Sequence, residues 1–280
     1  MNIINGDLIS ESILSTNKRQ VTQLKKQGIT PRLIVVLVGN NKASETYVLK
    51  KQHAGKAIGM DVDVVHYPKD ISQKELIQNI KNIQKETIDG LMVQLPLPKH
   101  LHTGAILNTI HQDVDVDYLS YASLGKLLRG DQDITPPTPG AILHILEKEL
   151  GLSLAGKQIA LVGTGNLVGK PLALLLMNRH ASIMTCNQQT KDIKSICRQA
   201  DIIITAVGKK DLIRKNMIKK GTVVIDAGVC FDKKQMYGDI NFKEIAKRAS
   251  AVTPTPGGVG PITVAKLIEN TVLNAQKRKK

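Results

Sequence analysis

Residues 157–176, KQIALVGTGNLVGKPLALLL, pass from a short apolar run through a glycine-rich turn into a leucine-rich segment of helical character. Gly163, Gly165 and Gly169 are spaced G-x-G-x-x-x-G, one residue longer than the usual dinucleotide fingerprint. Glycines placed so let the backbone approach a pyrophosphate, which rests on the unpaired amides of the helix N-terminus. Alone, such a turn is a weak signal, because ordinary turns also collect glycine. Here a strand precedes it and a helix follows, and three more strand-like runs lie behind: ASIMTC (181–186), ADIIITAVG (200–208) and TVVIDAGV (222–229). This half therefore reads as a Rossmann-like dinucleotide-binding domain. Its second strand ends Cys186-Asn187-Gln188-Gln189, with neither the acid that favours NAD nor the arginine that favours NADP, so the residues leave that choice open.

The half before it alternates in the same way. RLIVVLVG (32–39), a helix over 44–60, DVDVVHY (61–67), a helix near 72–86 and DGLMVQLPLP (89–98) form βαβ units of a mainly parallel sheet. Another helix is expected near 101–112, then a looser stretch to 139 and a helix at 140–150. From Pro261 on, apolar residues at 264, 267, 268, 272 and 275 predict an amphipathic helix, its basic end suited to the C-terminal dipole. The expected fold class is α/β: two α/β domains with a cleft between them, the second Rossmann-like. The expected boundaries are 1–120 plus the C-terminal helix 262–280 for the first domain and 121–261 for the second. No solenoid-period repeat or low-complexity tract interrupts this pattern.

Composition narrows the function classes. Of the 280 residues 42% are hydrophobic, enough for a real core, and no run reaches the length of a membrane span. The N-terminus MNIINGDLIS lacks a basic region followed by an apolar one, so a cytoplasmic location is expected. Cys186, Cys197 and Cys230 are odd in number and widely spaced, which argues against disulfides or a zinc site and for small buried hydrophobes. His53, Asp113, Asp115 and Asp117 form no metal-ligand spacing, and no metal is expected. The net charge is +15, from 39 basic and 24 acidic residues. A bias toward lysine ranks first as its explanation, then a field that steers an anionic small molecule, and nucleic acid last. With two Phe and no Trp there are few platforms for bases, and the only dense basic cluster is the terminal QKRKK.

The helix around SETYVLKKQHAGKAIGM (44–60) carries three lysines and one of only seven aromatic residues. With Tyr47 at the origin and about 100° per residue, Lys51 falls at about 40°, among Val48, Ala54 and Ile58. Lys50 lies at the edge and Lys56 opposite, both as solvated surface. For Lys51 two readings stand: a snorkelling side chain, or a desolvated ammonium with a lowered pKa that moves a proton near neutrality. Gln94 ends an apolar strand that Pro96 terminates, where ligands of open α/β sheets sit. It either fixes a water or carbonyl there or bonds nearby backbone. TPTPGGVGPIT (253–263) is too rich in Gly and Pro for a tolerant loop and suggests backbone close to a ligand, with Pro261 in the first turn of the last helix.

Together ASETYVLKK, DGLMVQLPLP, DVDYLS, TPPTPG, GTGNLVGKP, ADIIITAVG, VVIDAGV, YGDI and TPTPGGVGPITVAKLIENT resemble the bifunctional methylenetetrahydrofolate dehydrogenase/methenyltetrahydrofolate cyclohydrolase (FolD) family. They occur in family order from residue 43 to 271. The resemblance implies oxidation of methylenetetrahydrofolate to methenyltetrahydrofolate with NADP, or NAD, and hydrolysis to 10-formyltetrahydrofolate. It implies Tyr47 stacking on the folate, Lys51 as the catalytic lysine, Gln94 as its partner and Asp117 holding the pterin. Gly163, Thr164, Gly165, Val168 and Gly169 would take the cofactor phosphates, with Asn187, Ala206, Val207, Gly208 and Gly228 along the cofactor groove. Pro256, Gly257 and Gly258 would contact substrate. A homodimer, and a folate that carries a polyglutamate tail attracted by the positive charge, are further implications; neither nucleic acid nor membrane is an expected partner.

The sequence departs from the family pattern at named places. Val114-Asp115-Val116-Asp117-Tyr118 replaces the usual Lys-Asp-Val-Asp-Gly, so Tyr118 stands in place of glycine. Pro137 replaces a cysteine, Ala141 a glycine and Ser123 an asparagine, and Thr164-Gly165 stands for Arg-Ser. These departures keep two rival readings in view: a folate-binding relative with one activity, and a basic nucleic-acid-binding protein.

Overall fold

The computed structural model describes residues 1–232 and 235–278. Lys279 and Lys280 of the terminal basic cluster lie outside the described residues. The chain packs as two units: Met1–Ser10 with Thr138–Thr263, and Glu11–Pro137 with the residues from Val264 on. These divisions fall later than those expected at 120/121 and 261/262, and residues 1–10 pack with the Rossmann-like unit. The reason is local: Asn2–Ile3 pairs in parallel with Ala251–Val252 as an edge strand.

The unit of Glu11–Pro137 holds a three-stranded parallel sheet in the order Asp61–Tyr67, Arg32–Val38, Gly90–Val93. Alternation along the central strand explains why its run is apolar throughout. Leu33, Val35 and Leu37 join Val48, Met92 and the C-terminal helix residues Leu267 and Ile268 on one face. Ile34, Val36 and Val38 join Leu76, Ile80 and Ile106 on the other. The Lys42–Ala57 helix starts at Asn41, whose side chain accepts from the Ser44 amide at 3.0 Å. Gly55 lies inside it because a Cβ there would stand 2.4 Å from Val62 Cγ2. That absence lets the helix lie close on the sheet.

Several elements differ from expectation. The last strand stops at Val93, one further ladder bond running from the Gln94 amide to Val36 O at 2.8 Å, because the prolines beyond it have no N–H. The looser stretch contains a helix, Tyr121–Arg129, capped by Ser120 and closed by Gly130 in the left-handed conformation (φ 78°). The helix near 101–112 shortens to Thr103–Leu107, and 140–150 resolves into Pro137–Leu143 followed by a π-helical His144–Glu149. A helix over Gly6–Lys25 was not anticipated.

The other unit holds a six-stranded parallel sheet in the order Asn2–Ile3, Ala251–Val252, Val223–Asp226, Ile202–Thr205, Gln158–Val162, Ser182–Cys186, and an antiparallel pair, Cys230–Asp232 with Gln235–Tyr237. Gln158–Val162 has its two successors on opposite sides. The chain leaves it in one direction and returns past it in the other, which makes the loop after Val162 a topological switch point.

The last helix, Val259–Lys277, is less amphipathic than its apolar positions predict. Asn270, Thr271 and Asn274 are buried with the apolar residues. Asn270 Nδ2 donates to Val116 O at 2.9 Å and Thr135 O at 2.8 Å, and Asn274 Nδ2 to Asp89 O at 3.1 Å. These amides satisfy backbone carbonyls that no strand or helix pairs. Asn270→Ala is accordingly expected to destabilise this unit by about 2–3 kcal/mol, two carbonyls losing their donor at once. Urea unfolding should show a lower midpoint at unchanged slope, and a midpoint equal to that of the parent would refute the assignment.

Candidate active site

Lys51 and Gln94 are brought together by the βαβ packing of the three-stranded sheet. Lys51 Nζ donates to Gln94 Oε1 at 2.8 Å and lies 3.5 Å from Met92 Sδ. The amide orientation is set from behind, since Gln94 Nε2 donates to Leu95 O at 2.7 Å and only the oxygen is left for the lysine. Of the two alternatives read for Gln94, the bond to nearby backbone is present, and the other end of the amide meets Lys51. Lys51 as a residue is half-buried, but its ammonium is removed from water, and Lys50 and Lys56 are exposed. Burial lowers the Lys51 pKa, and the charge of Asp117 opposes that shift. Snorkelling does not describe this side chain, whose charged end points inward.

Asp117 is pushed up to about 6, chiefly by burial, with Lys51 pulling it down and Asp115 pushing it further up. Its place is fixed by its neighbours. Val116 is held by Asn270, and Asp115 forms a bridge with Leu91. Asp115 Oδ2 accepts from the Ser120 amide and Ser123 Oγ, each at 2.8 Å, so the departure at Ser123 makes a buried bond rather than leaving a gap. Tyr118 takes φ 60°, a conformation in which glycine is the easier residue. Its ring is buried, and its phenol is pushed up to about 12 by burial and by Asp133 and Asp115. Tyr47 is half-buried one turn before Lys51.

The remaining site residues lie in the other unit. Gly163 has φ 111°, and a Cβ on it would stand 2.6 Å from Ala206 O. A Cβ on Gly169 would stand 2.0 Å from Gly163 O, so the loop folds back tightly on the start of the Gly169–Met177 helix. Val168, at the cap, offers no side-chain acceptor to the helix amides. Gly165 has open space around it and Thr164 is half-buried. This bare cradle of amides at the switch point fits the phosphates of a dinucleotide. Asn187 and Val207 are exposed and Ala206 half-buried. Gly228 is buried, its missing side chain making room for the Asp239 carboxyl 2.1 Å from where a Cβ would be. Pro256–Gly258 packs against the start of the chain: the Gly6 amide donates to Gly257 O at 2.7 Å. Reading from sequence missed Gly6, although a glycine just before an amphipathic segment was its signal.

The first part of the chain, residues 4–117, matches the family model "Tetrahydrofolate dehydrogenase/cyclohydrolase, catalytic domain", and residues 136–279 match its NAD(P)-binding domain. The bifunctional protein FolD of Lysinibacillus sphaericus is 42% identical over 278 residues, covering 99% of this chain and 98% of that protein. The FolD of Moorella thermoacetica is 42% identical over 277 residues, covering 98% and 99%. Among solved structures, the bifunctional FolD enzyme of Campylobacter jejuni superposes with a TM-score of 0.97 at 38% identity over 99% of both chains. The Trypanosoma brucei FolD complexed with NADP cofactor and inhibitor gives 0.94 at 32%, covering 99% and 98%.

The Asp117 shift has a stability consequence. In the unfolded chain this carboxyl ionises near pH 4, whereas in the fold it keeps its proton to about pH 6. Between these values the folded state binds more protons, so this group makes stability fall as pH rises. Asp117→Asn removes that cost. The variant should exceed the parent by about 1–3 kcal/mol at pH 7 and equal it at pH 4, as read by denaturant unfolding at both values.

Proposed function

The chain belongs to the tetrahydrofolate dehydrogenase/cyclohydrolase family, and we propose that Lys51, Gln94, Asp117 and Tyr47 are the residues through which it performs both reactions. It is a bifunctional one-carbon folate enzyme, an oxidoreductase and a hydrolase that uses NADP. The observation that carries the residue assignment is the 2.8 Å bond from Lys51 Nζ to Gln94 Oε1 in a site where burial lowers the lysine pKa.

The folate binds with its pterin held by Asp117 and its ring system stacked on Tyr47. NADP⁺, when bound, would supply the acceptor for a hydride from the methylene carbon, whose loss leaves a methenyl cation on the folate. Gly163, Thr164, Gly165, Val168 and Gly169 would hold the cofactor phosphates, with Asn187, Ala206, Val207, Gly208 and Gly228 beside them. Pro256, Gly257 and Gly258 would meet the substrate. Water then adds to the cationic carbon, and Lys51 Nζ takes the proton that the water loses. The hydroxyl proton passes to the ring nitrogen as that nitrogen's bond to the carbon breaks, leaving a formyl group. A lysine with an ordinary pKa would stay protonated and could not take that proton. Gln94 supports the role because its neutral oxygen stabilises the ammonium less than a carboxylate would, so the lysine cycles between its two states. Asp117 opposes the shift from farther off.

The finer points of partner and place are also proposals. A homodimer is supported by the family resemblance alone. A cytoplasmic location is supported by three free cysteines and by the finding that no helix among the described residues is long and apolar enough to cross a membrane. Capture of a polyglutamate tail is supported by the net charge of +15.

In a turnover assay with methylenetetrahydrofolate and NADP⁺, and in parallel NAD⁺, the parent should reduce NADP⁺ and carry methenyl through to formyl. Lys51→Met should lose methenyl hydrolysis by about 10²–10⁴-fold while still binding folate. A variant that hydrolyses at the parental rate would remove Lys51 from the mechanism. For the tail, apparent affinity at low salt should rise severalfold from one glutamate to five and flatten at high salt. Equal affinities at low salt would sink that proposal.

A further inference from the structure

We propose that Asp239 is a positioning residue of the dinucleotide site, its carboxylate fixing the Thr205–Lys209 loop in the shape that receives the cofactor. This rests on the reading that Ala206, Val207 and Gly208 line that site. The carboxylate accepts three bonds from the loop, each at 2.7 Å: Oδ2 from Thr205 Oγ1 and from the Val207 amide, Oδ1 from the Lys209 amide. These donors bracket residues 206–208 on both sides. Thr205 ends the buried strand Ile202–Thr205, so the carboxylate ties the loop to the end of that strand. Asp239 is fully buried, and a carboxyl group so placed is tolerated only where donors converge on it.

The surroundings are built around this carboxylate and its neighbour Asp226. A Cβ on Gly228 would stand 2.1 Å from the Asp239 carboxyl, and one on Gly238 would stand 1.9 Å from Asp226 Oδ2. Asp226 in turn accepts from the Gly228 amide at 2.9 Å and from the amide of Ile240, the residue after Asp239, at 3.1 Å. No salt bridge from a lysine or arginine reaches either carboxylate among the described residues. Backbone amides and one hydroxyl therefore supply the compensation, and an arrangement that answers buried charge with loop amides dictates where those amides are. Burial, with Asp239 beside it, pushes Asp226 up to about 7 against the pull of the backbone amides that it accepts from.

The test uses the full chain with Asp239→Asn and, as a milder change, Thr205→Val, which keeps the carboxylate and the packing volume. Three quantities are measured: the Kd for NADP by calorimetry, hydrogen exchange at the Val207 and Lys209 amides without nucleotide, and methenyl hydrolysis without nucleotide. Asp239→Asn turns an acceptor into an amide group facing an N–H donor. NADP should bind about tenfold more weakly, the two amides should exchange faster, and methenyl hydrolysis should stay within about twofold of the parent. Thr205→Val should weaken NADP about threefold. An NADP Kd within twofold of the parent in folded Asp239→Asn would overturn the proposal, as would methenyl hydrolysis falling in step with NADP affinity, the mark of a general loss of structure. If Asp239→Asn does not fold, Thr205→Val decides, and an unchanged Kd with unchanged exchange overturns it. A parent that does not bind NADP would instead overturn the dinucleotide reading itself, and the positioning role with it.

Discussion

An ammonium group held away from water is the constraint on which the catalytic unit depends. A lysine so placed can keep its charge only where acceptors reach it, and can lose it readily only where those acceptors are weak. Lys51 meets one neutral amide oxygen and one thioether, with a carboxylate acting from farther off. Every surrounding feature follows from holding that balance. The close seat of the helix at Gly55 brings the lysine inward. The end of the Gly90–Val93 strand delivers Gln94, and the Leu95 carbonyl locks its amide. Asn270 holds the segment that carries Asp117. The site is thus a set of backbone-anchored polar groups around one buried ammonium whose pKa burial lowers.

The other unit solves a different problem by a different means. A phosphate needs backbone amides that nothing else has claimed, and side chains would both crowd and satisfy them. Here the chain removes them: Gly163 and Gly169 allow the loop and helix start to approach within van der Waals distance, and Val168 leaves the helix uncapped. On the neighbouring strand ends, carboxylates do the organising, with Gly228 and Gly238 making room for Asp239 and Asp226. Hydride transfer asks for orientation from the protein, whereas the hydrolytic step asks for a titratable group.

How much of this was legible depended on whether the signal was local. Parallel strands buried on both faces write themselves as apolar runs, so Arg32–Val38 and Gln158–Val162 were plain. Lys51 could be singled out because a charge on an apolar helix face violates the expected period. The Tyr121–Arg129 helix was missed because its residues lie in a polar setting, although Ser120 and Gly130 marked both ends. The edge strand Asn2–Ile3 could not be read at all, since two residues carry no period and the pairing spans most of the chain. Nor could the roles of Asn270 and Asp239, because the groups they serve lie far away in sequence. That a carboxyl from Asp239 fills the space beside Gly228 could not be read either.

The departures from the family pattern can be weighed by the same physics. Tyr118 sits where the backbone is left-handed, which costs a side chain roughly 1–2 kcal/mol relative to glycine. Burying a tyrosine ring contributes a comparable amount in return, and this ring is 3% exposed, so the exchange leaves the Asp117 segment in place. Ser123 is shorter than asparagine, yet its hydroxyl donates to Asp115 Oδ2, which also accepts from the Ser120 amide, while the Ser120 hydroxyl donates to Ser123 Oγ. Pro137 opens the Pro137–Leu143 helix, where its fixed φ and missing N–H are harmless. Thr164-Gly165 differs in kind. Unlike Gly163 and Gly169, Gly165 has open space where a Cβ would stand, so no packing demand selects glycine there. Among these departures it is the one that the packing of the fold leaves unexplained, set in the glycine-rich turn after the Gln158–Val162 strand.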